Sequence, residues 1–406
     1  MKVLIVSKMT NDELYDYIYN TRHNLHVDPD QKFFRNLVYG LAQNIDPSNI
    51  TCISVPPVSA ASHNKEIWDE DIFIQDEIKY IMPAFKNHTF SRFFDQRKNA
   101  LRCVSEWLDE TKNEKRAVIC DPLICHVTNS IVKECKKNKC VAVAVVTDLP
   151  LLWLQMGKKK IFSLSYLFNF FYNHSADRGL SKFDGYVWLT EQMNSEKNKH
   201  NRPYIVIEGF ADVNNVVVDT ISEDLPKRFI MYAGGVYKVF KLVRILQAFC
   251  NANIPNLDFL IYGDGDDVNR VIEFEKINPH IHYMGVVSSN EIKVIEKKAL
   301  LLVNPRPSLD EYTKYSFPSK TLEYMGSGTA MLSTKLQGIP KDYTEYLFWF
   351  DNESESGMTD KIKYIFSLSD SDIKHMGTKA LDFIYSEKTA NKQAEKIIKL
   401  INRINN

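Results

Sequence analysis

The sequence predicts an α/β protein with two domains, each built on a parallel β-sheet covered by helices. Short apolar runs alternate with segments whose apolar residues recur every three or four positions, as in strands connected by helices. A polar segment at residues 211–226 interrupts this alternation, which then begins again. The chain is predicted to cross there from the first domain to the second. A chain of 406 residues is long enough for two domains, since domains typically span about 100 to 200 residues.

In the first half of the chain, five apolar runs predict buried strands, at residues 3–6, 50–55, 117–119, 141–146 and 185–189. Helical patterns lie between them, at residues 32–44, 90–108 and 129–137. Ligands of such parallel sheets bind at the carboxyl ends of the strands, and Asp121 and Asp148 each follow one of these strands. Each aspartate either caps a turn or faces a ligand.

The loop after the first strand, residues 7–11, contains no glycine. A dinucleotide pyrophosphate needs glycine there so that the backbone can approach it closely. The first half is therefore predicted to be a poor NAD or FAD site, which disfavours a dehydrogenase.

The second half repeats the alternation and places glycine after its strands. Strands are predicted at residues 229–232, 259–262, 281–283 and 300–303, with helices at residues 240–249, 268–278 and 289–298. Three of these strands lead into glycine, at Gly234 and Gly235, at Gly263 and at Gly285. Because glycine lets the backbone approach a ligand, this half is predicted to bind a nucleotide.

A loop that becomes a helix, residues 315–328, has the features of a phosphate site. Pro318 has the backbone angle of a helix start, and Ser319 and Lys320 follow it directly. Free N–H groups, a hydroxyl and an ammonium group are expected to converge there on an anion.

Composition limits the functional classes. Lysine plus arginine equals aspartate plus glutamate at 51 each, so no global charge indicates nucleic acid. The seven cysteines include no Cys-x-x-Cys pair and are expected to be reduced, buried thiols without zinc. Asp264, Asp266 and Asp267 lie in a glycine turn and are expected to face solvent, so no metal site is predicted. The amino-terminal run is unlike a secretory signal, which predicts a cytoplasmic protein.

Three lysines at residues 158–160 precede an aromatic run at residues 161–172. The run is too short and polar to span a bilayer, but a basic, aromatic helix can lie on an anionic membrane surface. The alternative is an aromatic helix packed on the sheet with its lysines in solvent. Peripheral contact with the inner membrane surface is thus one of two interpretations.

Five segments of the second half resemble the retaining glycosyltransferases of family 4: residues 231–235 (MYAGG), 260–265 (LIYGDG), 283–286 (YMGV), 303–306 (VNPR) and 317–328 (FPSKTLEYMGSG). In detail the chain is similar to bacterial members that build capsule, exopolysaccharide or O-antigen. The resemblance implies the GT-B architecture, in which two Rossmann-like domains with parallel sheets face each other across a cleft.

The same resemblance implies a different role for each of three segments of the chain. Residues 1–210 would form the acceptor-binding domain and residues 227–380 the nucleotide-sugar-binding domain. Residues 381–406 would form a helix that returns to the first domain, and the apolar spacing over residues 372–401 is helical.

The resemblance also assigns roles to residues around the predicted phosphate site. Glu323 matches the second glutamate of the family's paired-glutamate motif, which hydrogen-bonds the donor ribose. Tyr315 stands where the first glutamate is expected, and Glu311 is close enough in sequence to replace it. Ser319 and Lys320 match positions that meet the diphosphate.

Four glycines match the backbone positions that approach the donor: Gly234, Gly235, Gly263 and Gly285. The family usually offers a basic residue after the first glycine loop, and Lys238 and Lys241 are the candidates, with a solvated charge as the alternative for each. Arg306 follows a strand and would either neutralise phosphate or form a structural ion pair.

The expected reaction breaks a sugar-to-diphosphate bond, which leaves negative charge on the departing phosphate. Lys320 and either Lys238 or Lys241 are expected to stabilise that phosphate with the adjacent helix start, so that no divalent metal or other cofactor is required. Asp121 and Asp148 are expected to orient or deprotonate the acceptor hydroxyl.

The predicted function is therefore transfer of a sugar, with retention, from a nucleotide-diphosphate sugar to a glycan or polyprenyl-diphosphate-linked glycan. A nucleotide-sugar 2-epimerase of the same fold is one alternative, although no obvious histidine or glutamate set lies on loops of the first domain. A non-catalytic nucleotide-binding scaffold is the other, and Tyr315 is its best support.

Overall fold

The structure is a computed structural model that describes residues 1–23, 29–89, 91–152, 164–211 and 225–405. It contains two compact units, Met1–Phe210 with Ala390–Asn406, and Ala211–Thr389. The second unit thus begins before the predicted residue 227, and the chain returns to the first unit after the predicted residue 381. The physical reason is a parallel bridge between Ala211 and Thr389, which ties both ends of the second unit together.

The strands of the first unit are β1 (Lys2–Ser7), β2 (Ile50–Ser54), β3 (Ile67–Trp68), β4 (Asp71–Gln75), β5 (Ile78–Met82), β6 (Phe85–Lys86), β7 (Arg116–Cys120), β8 (Val141–Val146), β9 (Gly185–Trp188) and β10 (Tyr204–Val206). Eight of them form a sheet in the order β10-β9-β8-β7-β1-β2-β5-β4. The edge strand β4 runs antiparallel to β5, and β3 and β6 form a separate antiparallel pair. The five predicted strands are confirmed. The segment from β3 to β6 was not predicted, because β3 and β6 are very short and β4 buries no side chain fully.

The helices of the first unit before the crossing are α1 (Asp12–Asn20), α2 (Pro29–Ala42), α3 (Ser91–Glu110), α4 (Cys125–Lys137), α5 (Leu164–Leu180) and α6 (Glu191–Lys197). The three predicted helices correspond to α2, α3 and α4. The lysines at residues 158–160 lie outside the described residues. Within the described part of the chain, each helix is too short or too polar to cross a membrane.

The second unit has one sheet of parallel strands, in the order β13-β12-β11-β14-β15-β16. These strands are β11 (Phe229–Ala233), β12 (Asp258–Tyr262), β13 (Ile281–Gly285), β14 (Leu301–Asn304), β15 (Met331–Thr334) and β16 (Phe348–Phe350). Its helices are α7 (Val243–Ala252), α8 (Val268–Ile277), α9 (Ser289–Lys298), α10 (Ser319–Gly326), α11 (Glu355–Ser367) and α12 (Asp370–Phe383). The four predicted strands are confirmed, and glycine follows β11 and β12, whereas Gly285 is the last residue of β13.

The carboxyl-terminal helix α13 (Ala390–Asn405) packs in the first unit. The predicted single helical segment at residues 372–401 is in fact two helices, separated by a π turn at Ile384–Lys388 and by Thr389 in an extended conformation. Ile397, Leu400 and Ile401 of α13 are buried in the same core as Val3 and Ile5 of β1. The return of the chain therefore completes the core of the first sheet.

Candidate functional site

The strand order of the second unit places a ligand crevice between β11 and β14. The chain adds β12 and β13 on one side of β11, and β15 and β16 on the far side of β14. In open parallel sheets, ligands bind at the carboxyl ends of the strands where the order reverses in this way. Gly234 directly follows β11 and Arg306 follows β14, so two of the predicted site residues meet at this point.

Lys320 lies against the backbone of the first glycine loop. A Cβ atom on Gly234 would collide with Cε of Lys320, and Nζ of Lys320 lies 5.8 Å from the ring centroid of Tyr324. Burial lowers the pKa of Lys320, the carboxylates of Glu323 and Glu296 partly oppose this effect, and Arg306 adds to it. Because a bound anion would favour the charged form of Lys320, this position is suited to a phosphate group.

Tyr324 fixes α10 to the end of β11, although sequence analysis did not single it out. Its hydroxyl group donates to the carbonyl oxygen of Ala233 at 3.1 Å and accepts from the N–H of Ala233 at 2.9 Å. The side chain is fully buried. The sequence could have indicated this role, because Tyr324 lies among the apolar residues of α10 and a buried tyrosine hydroxyl group usually needs a hydrogen-bond partner. This anchor positions Lys320, which lies one turn earlier.

The start of α10 differs slightly from the prediction. Pro318 is the N-cap, in an extended conformation, and Ser319 is the first helical residue. No side chain caps this helix end, so N–H groups of its first turn remain available for a ligand. Ser319 is exposed at this end of the helix.

Two buried polar side chains at the crevice have no hydrogen-bond partner among the described residues. They are Asn304, at the end of β14, for both of its amide atoms, and Thr321, in the first turn of α10, for its hydroxyl group. Both are almost completely buried. Because a buried polar group without a partner costs free energy, a bound ligand or water would stabilise this arrangement. Sequence analysis included Asn304 in a motif but gave it no role.

The predicted basic residues occupy different environments. The guanidinium group of Arg306 lies 4.2 Å from the ring centroid of Phe240, which is a cation–π contact, and its role toward phosphate stays a prediction. Lys241 is exposed, adopts a left-handed conformation with φ of 51°, and its Nζ lies 3.9 Å from Asp310. Lys238 is exposed and follows the glycine loop.

The residues predicted to contact the donor sugar and ribose lie on or beside α10. Glu323 is exposed on that helix. Tyr315 is partly buried and closes a short 3-10 turn at Glu311–Lys314, whose first residue is exposed. The assignments of Tyr315 or Glu311 to the donor sugar and of Glu323 to the ribose stay predictions.

The remaining predicted glycines pack the loops of this edge against one another. A Cβ atom on Gly263 would collide with the carbonyl oxygen of Gly234. A Cβ atom on Gly235 would collide with the ring of Tyr237. The N–H of Gly263 donates to the carbonyl oxygen of Gly285 at 2.7 Å. At least Gly263 is therefore required by loop packing, whether or not a ligand also approaches it.

The acidic cluster after β12 does not face solvent as a whole, which corrects the expectation. Asp264 and Asp266 are exposed, but Asp267 is buried at the N-cap of α8. Asp266 accepts a hydrogen bond from the N–H of Lys238 at 2.8 Å. Among the described residues, no group of three or more histidine, cysteine, aspartate or glutamate side chains is arranged to hold a metal ion.

The first unit has its own reversal of strand order, between β1 and β7. Asp121 follows β7, is completely buried, and accepts a hydrogen bond from the N–H of Leu123 at 2.8 Å. The turn-capping alternative for Asp121 is thus observed. Asp148, after β8, is partly buried. Whether either carboxylate meets an acceptor stays a prediction.

His126, in the first turn of α4, lies near the same edge and was missed by sequence analysis. Its Nδ1 is 2.8 Å from the hydroxyl group of Tyr172 and its Nε2 is 3.1 Å from the side-chain oxygen of Gln96. Burial, with a smaller effect of Arg92, lowers the pKa of His126 to about 4. A neutral histidine therefore lies in a region where none was expected, which weakens one argument against an epimerase.

The comparisons with known proteins agree with this geometry. Residues 227–367 match the family model described as glycosyl transferases group 1. The matched residues all lie in the second unit. They contain the crevice between β11 and β14 together with α10, so the candidate site lies within the part of the chain that is similar to these transferases. Comparison with curated proteins gives no significant match.

Solved structures show the same GT-B fold over the whole chain. A sucrose-phosphate synthase of Thermosynechococcus elongatus is 11% identical, with a TM-score of 0.65, and the match covers 100% of this chain and 99% of that one. A lipopolysaccharide outer core galactosyltransferase, WaaB, is 14% identical, with a TM-score of 0.61 and 99% of each chain covered. A structure described as trehalose-6-phosphate from E. coli, bound with UDP-2-fluoro glucose, is 9% identical, with a TM-score of 0.62 and 99% of each chain covered. At these identities the likeness shows the fold alone.

Proposed function

We propose that this glycosyltransferase moves a sugar from a nucleotide-diphosphate sugar to a hydroxyl group of a glycan or polyprenyl-diphosphate-linked glycan. The observation that carries the proposal is the position of Lys320, across the backbone of Gly234 at the reversal of strand order. The description of one structural neighbour names UDP-2-fluoro glucose, and another neighbour is described as a lipopolysaccharide outer core galactosyltransferase. We extend these to a role in bacterial surface polysaccharide assembly at the cytoplasmic face of the membrane.

Chemically, the site must stabilise the diphosphate as the sugar departs. Lys320 and the uncapped start of α10 supply an ammonium group and backbone N–H groups at one place. Arg306 and either Lys238 or Lys241 add positive charge nearby. With this charge supplied by the protein, the leaving group needs no divalent metal.

The remaining assignments complete the proposed mechanism. Glu323 binds the ribose, with Tyr315 or Glu311 at the donor sugar. The acceptor binds at the carboxyl edge of the first sheet, where Asp148 or Asp121 orients its hydroxyl group. The sugar is transferred with retention of its anomeric configuration.

Donor binding can be tested by isothermal titration with UDP, GDP and dTDP sugars on the wild type and on Lys320→Met. Loss of one charge-assisted contact to phosphate should weaken binding by about 10- to 100-fold. Lys374→Met, an exposed lysine of α12, is the matched control and should bind as the wild type does. If no nucleotide sugar binds, or if Lys320→Met binds equally well, the proposed donor site is wrong.

Product analysis separates the rival functions. Transfer or slow hydrolysis of the bound donor, with the α-configured product of an α-configured donor seen by NMR, supports a retaining transferase. Conversion of the donor sugar to its 2-epimer would instead identify an epimerase, in which the neutral His126 would be an acid–base candidate. Binding without any turnover would indicate a nucleotide-binding scaffold.

A further inference from the structure

Two neighbouring helices of the first unit expose large apolar side chains. Leu167, Phe168 and Phe171 of α5 are 48%, 42% and 67% exposed, and Phe94 of α3 is 67% exposed. The ring of Phe93, next in sequence to Phe94, packs on Phe168 with the centroids 5.4 Å apart. The two helices therefore present one surface, here called the α3–α5 surface. Contiguous exposed apolar groups of this kind usually mark a binding surface.

A basic depression of about 260 Å³ adjoins these rings. It is lined by Asn129, Phe170, Phe171, His174, Ser175, Arg178 and Lys182. Residues 171, 175, 178 and 182 recur every three or four positions, so α5 and the turn after it bring rings and cations to one face. The described lining residues include two permanent cations and no carboxylate, which suits an anionic group such as a lipid phosphate.

The sequence before and within α5 carries little negative charge, and the one acidic residue of the helix, Asp177, forms an ion pair with Lys197 at 2.6 Å. Residues 149–176 contain no aspartate or glutamate, although 51 of the 406 residues of the chain are acidic. Carboxylates would be repelled by anionic lipid headgroups, whereas Arg178 and Lys182 are attracted to them. This charge pattern favours a lipid surface over a protein partner of mixed charge.

Tyr172, one turn after Phe168 and in contact with its ring, connects α5 to the proposed acceptor edge. The hydroxyl group of Tyr172 donates to the carbonyl oxygen of Leu123 at 3.1 Å and lies 2.8 Å from Nδ1 of His126. Leu123 lies in the turn after β7, and His126 lies in the first turn of α4. A lipid bound to the exposed face of α5 would thus lie one helix away from the residues that follow β7.

We propose that the α3–α5 surface docks the protein on an anionic membrane, with phenylalanine side chains at the acyl boundary and a lipid phosphate in the depression beside Arg178 and Lys182. A helix of 17 residues is about 25 Å long and lies in the interface instead of spanning the bilayer. This inference deepens the proposed function. It rests on that function in one respect only, which is that the acceptor is carried by the membrane.

The test is co-sedimentation of the full chain with vesicles, compared between pure phosphatidylcholine and a mixture with about one third phosphatidylglycerol. The wild type should sediment with the anionic vesicles. Arg178→Glu with Lys182→Glu should lower the partition coefficient by about tenfold or more, since each basic residue contributes to the attraction. Phe94→Ser with Phe171→Ser should lower it by a similar factor, of the order of tenfold.

Matched controls carry the same chemical changes on the second unit. Lys374→Glu with Lys379→Glu, and Ile277→Ser with Tyr364→Ser, alter side chains that are also exposed and should leave partitioning unchanged. The proposal is overturned if the wild type does not bind anionic vesicles or if the controls lose as much binding. It is also overturned if light scattering shows that the α3–α5 variants dissociate a dimer, since a second copy would then cover the surface. Because donor titration does not involve lipid, failure of the transferase proposal would be seen there and not in sedimentation.

Discussion

At the scale of single residues, the same physical effect acts on one key group in each unit. Burial lowers the pKa of Lys320 in the second unit and of His126 in the first. Each group therefore has an unfavourable charged form unless a ligand supplies an opposite charge. For Lys320 the proposed diphosphate supplies it, whereas the observed partners of His126, Tyr172 and Gln96, are uncharged.

His126 should make the first unit less stable in acid. Its pKa is about 4 in the folded state against 6.5 for an ordinary histidine, so the unfolded chain binds the proton first as pH falls. The free energy of unfolding should thus decrease between pH 6.5 and about 4, and His126→Gln should reduce that decrease. Urea unfolding across this range measures it.

The control for this pH dependence is His375→Gln, which changes an exposed histidine of α12. It should retain the wild-type slope of unfolding free energy against pH. Equal slopes in all three proteins would show that His126 does not couple protonation to unfolding.

At the scale of elements, the loops after β11, β12 and β13 form one packed layer. Gly263 has a φ of 128° and no room for a side chain, because its Cα hydrogen faces the carbonyl oxygen of Gly234. Gly285 has a φ of 70°, but nothing lies within 4 Å of where its Cβ atom would be. Gly263 is thus needed because there is no space for a side chain, whereas Gly285 is needed only for its backbone conformation.

Alanine at these two glycines should separate loop packing from backbone conformation. Gly263→Ala should cost about 3 kcal/mol or more, since a steric clash adds to an unfavourable φ. Gly285→Ala should cost only about 1 kcal/mol, the penalty of a left-handed conformation alone. Chemical unfolding gives both values, and equal losses would show that the loops do not pack as described.

The elements also show what the sequence could and could not predict. The central strands were predicted because both of their faces are buried, which produces continuous apolar runs such as those of β1 and β8. Edge strand β4 was missed because its side chains are largely exposed. Lys320 was predicted from its place at a helix start, but the role of Tyr324 depends on a contact with Ala233, 91 positions away. Such contacts between distant residues leave little local pattern.

At the scale of the whole molecule, the two ends of the chain build the first unit together. The helix α13 carries a stripe of buried residues at intervals of three or four, including Ala394, Ile397 and Ile401. A Cβ atom on Gly40 of α2 would collide with the carbonyl oxygen of Ala390, so the two helices approach closely at the start of α13. The stability of the first unit therefore depends on a helix that follows the whole second unit in sequence.

Ile397→Ala should destabilise the first unit selectively. Ile397 is fully buried, and removal of such a side chain from a packed core typically costs about 2 to 5 kcal/mol. Because a chain of two units need not unfold in one step, hydrogen exchange should be measured separately for each strand. Exchange of the amide hydrogens in β1 and β2 should accelerate, while those in β11 and β12 stay protected. Lys399→Ala, which removes an exposed pair with Glu395 on the same helix, should cost about 0.5 kcal/mol or less and serves as the control. Equal acceleration in both sheets would show that α13 does not belong to the core of the first unit alone.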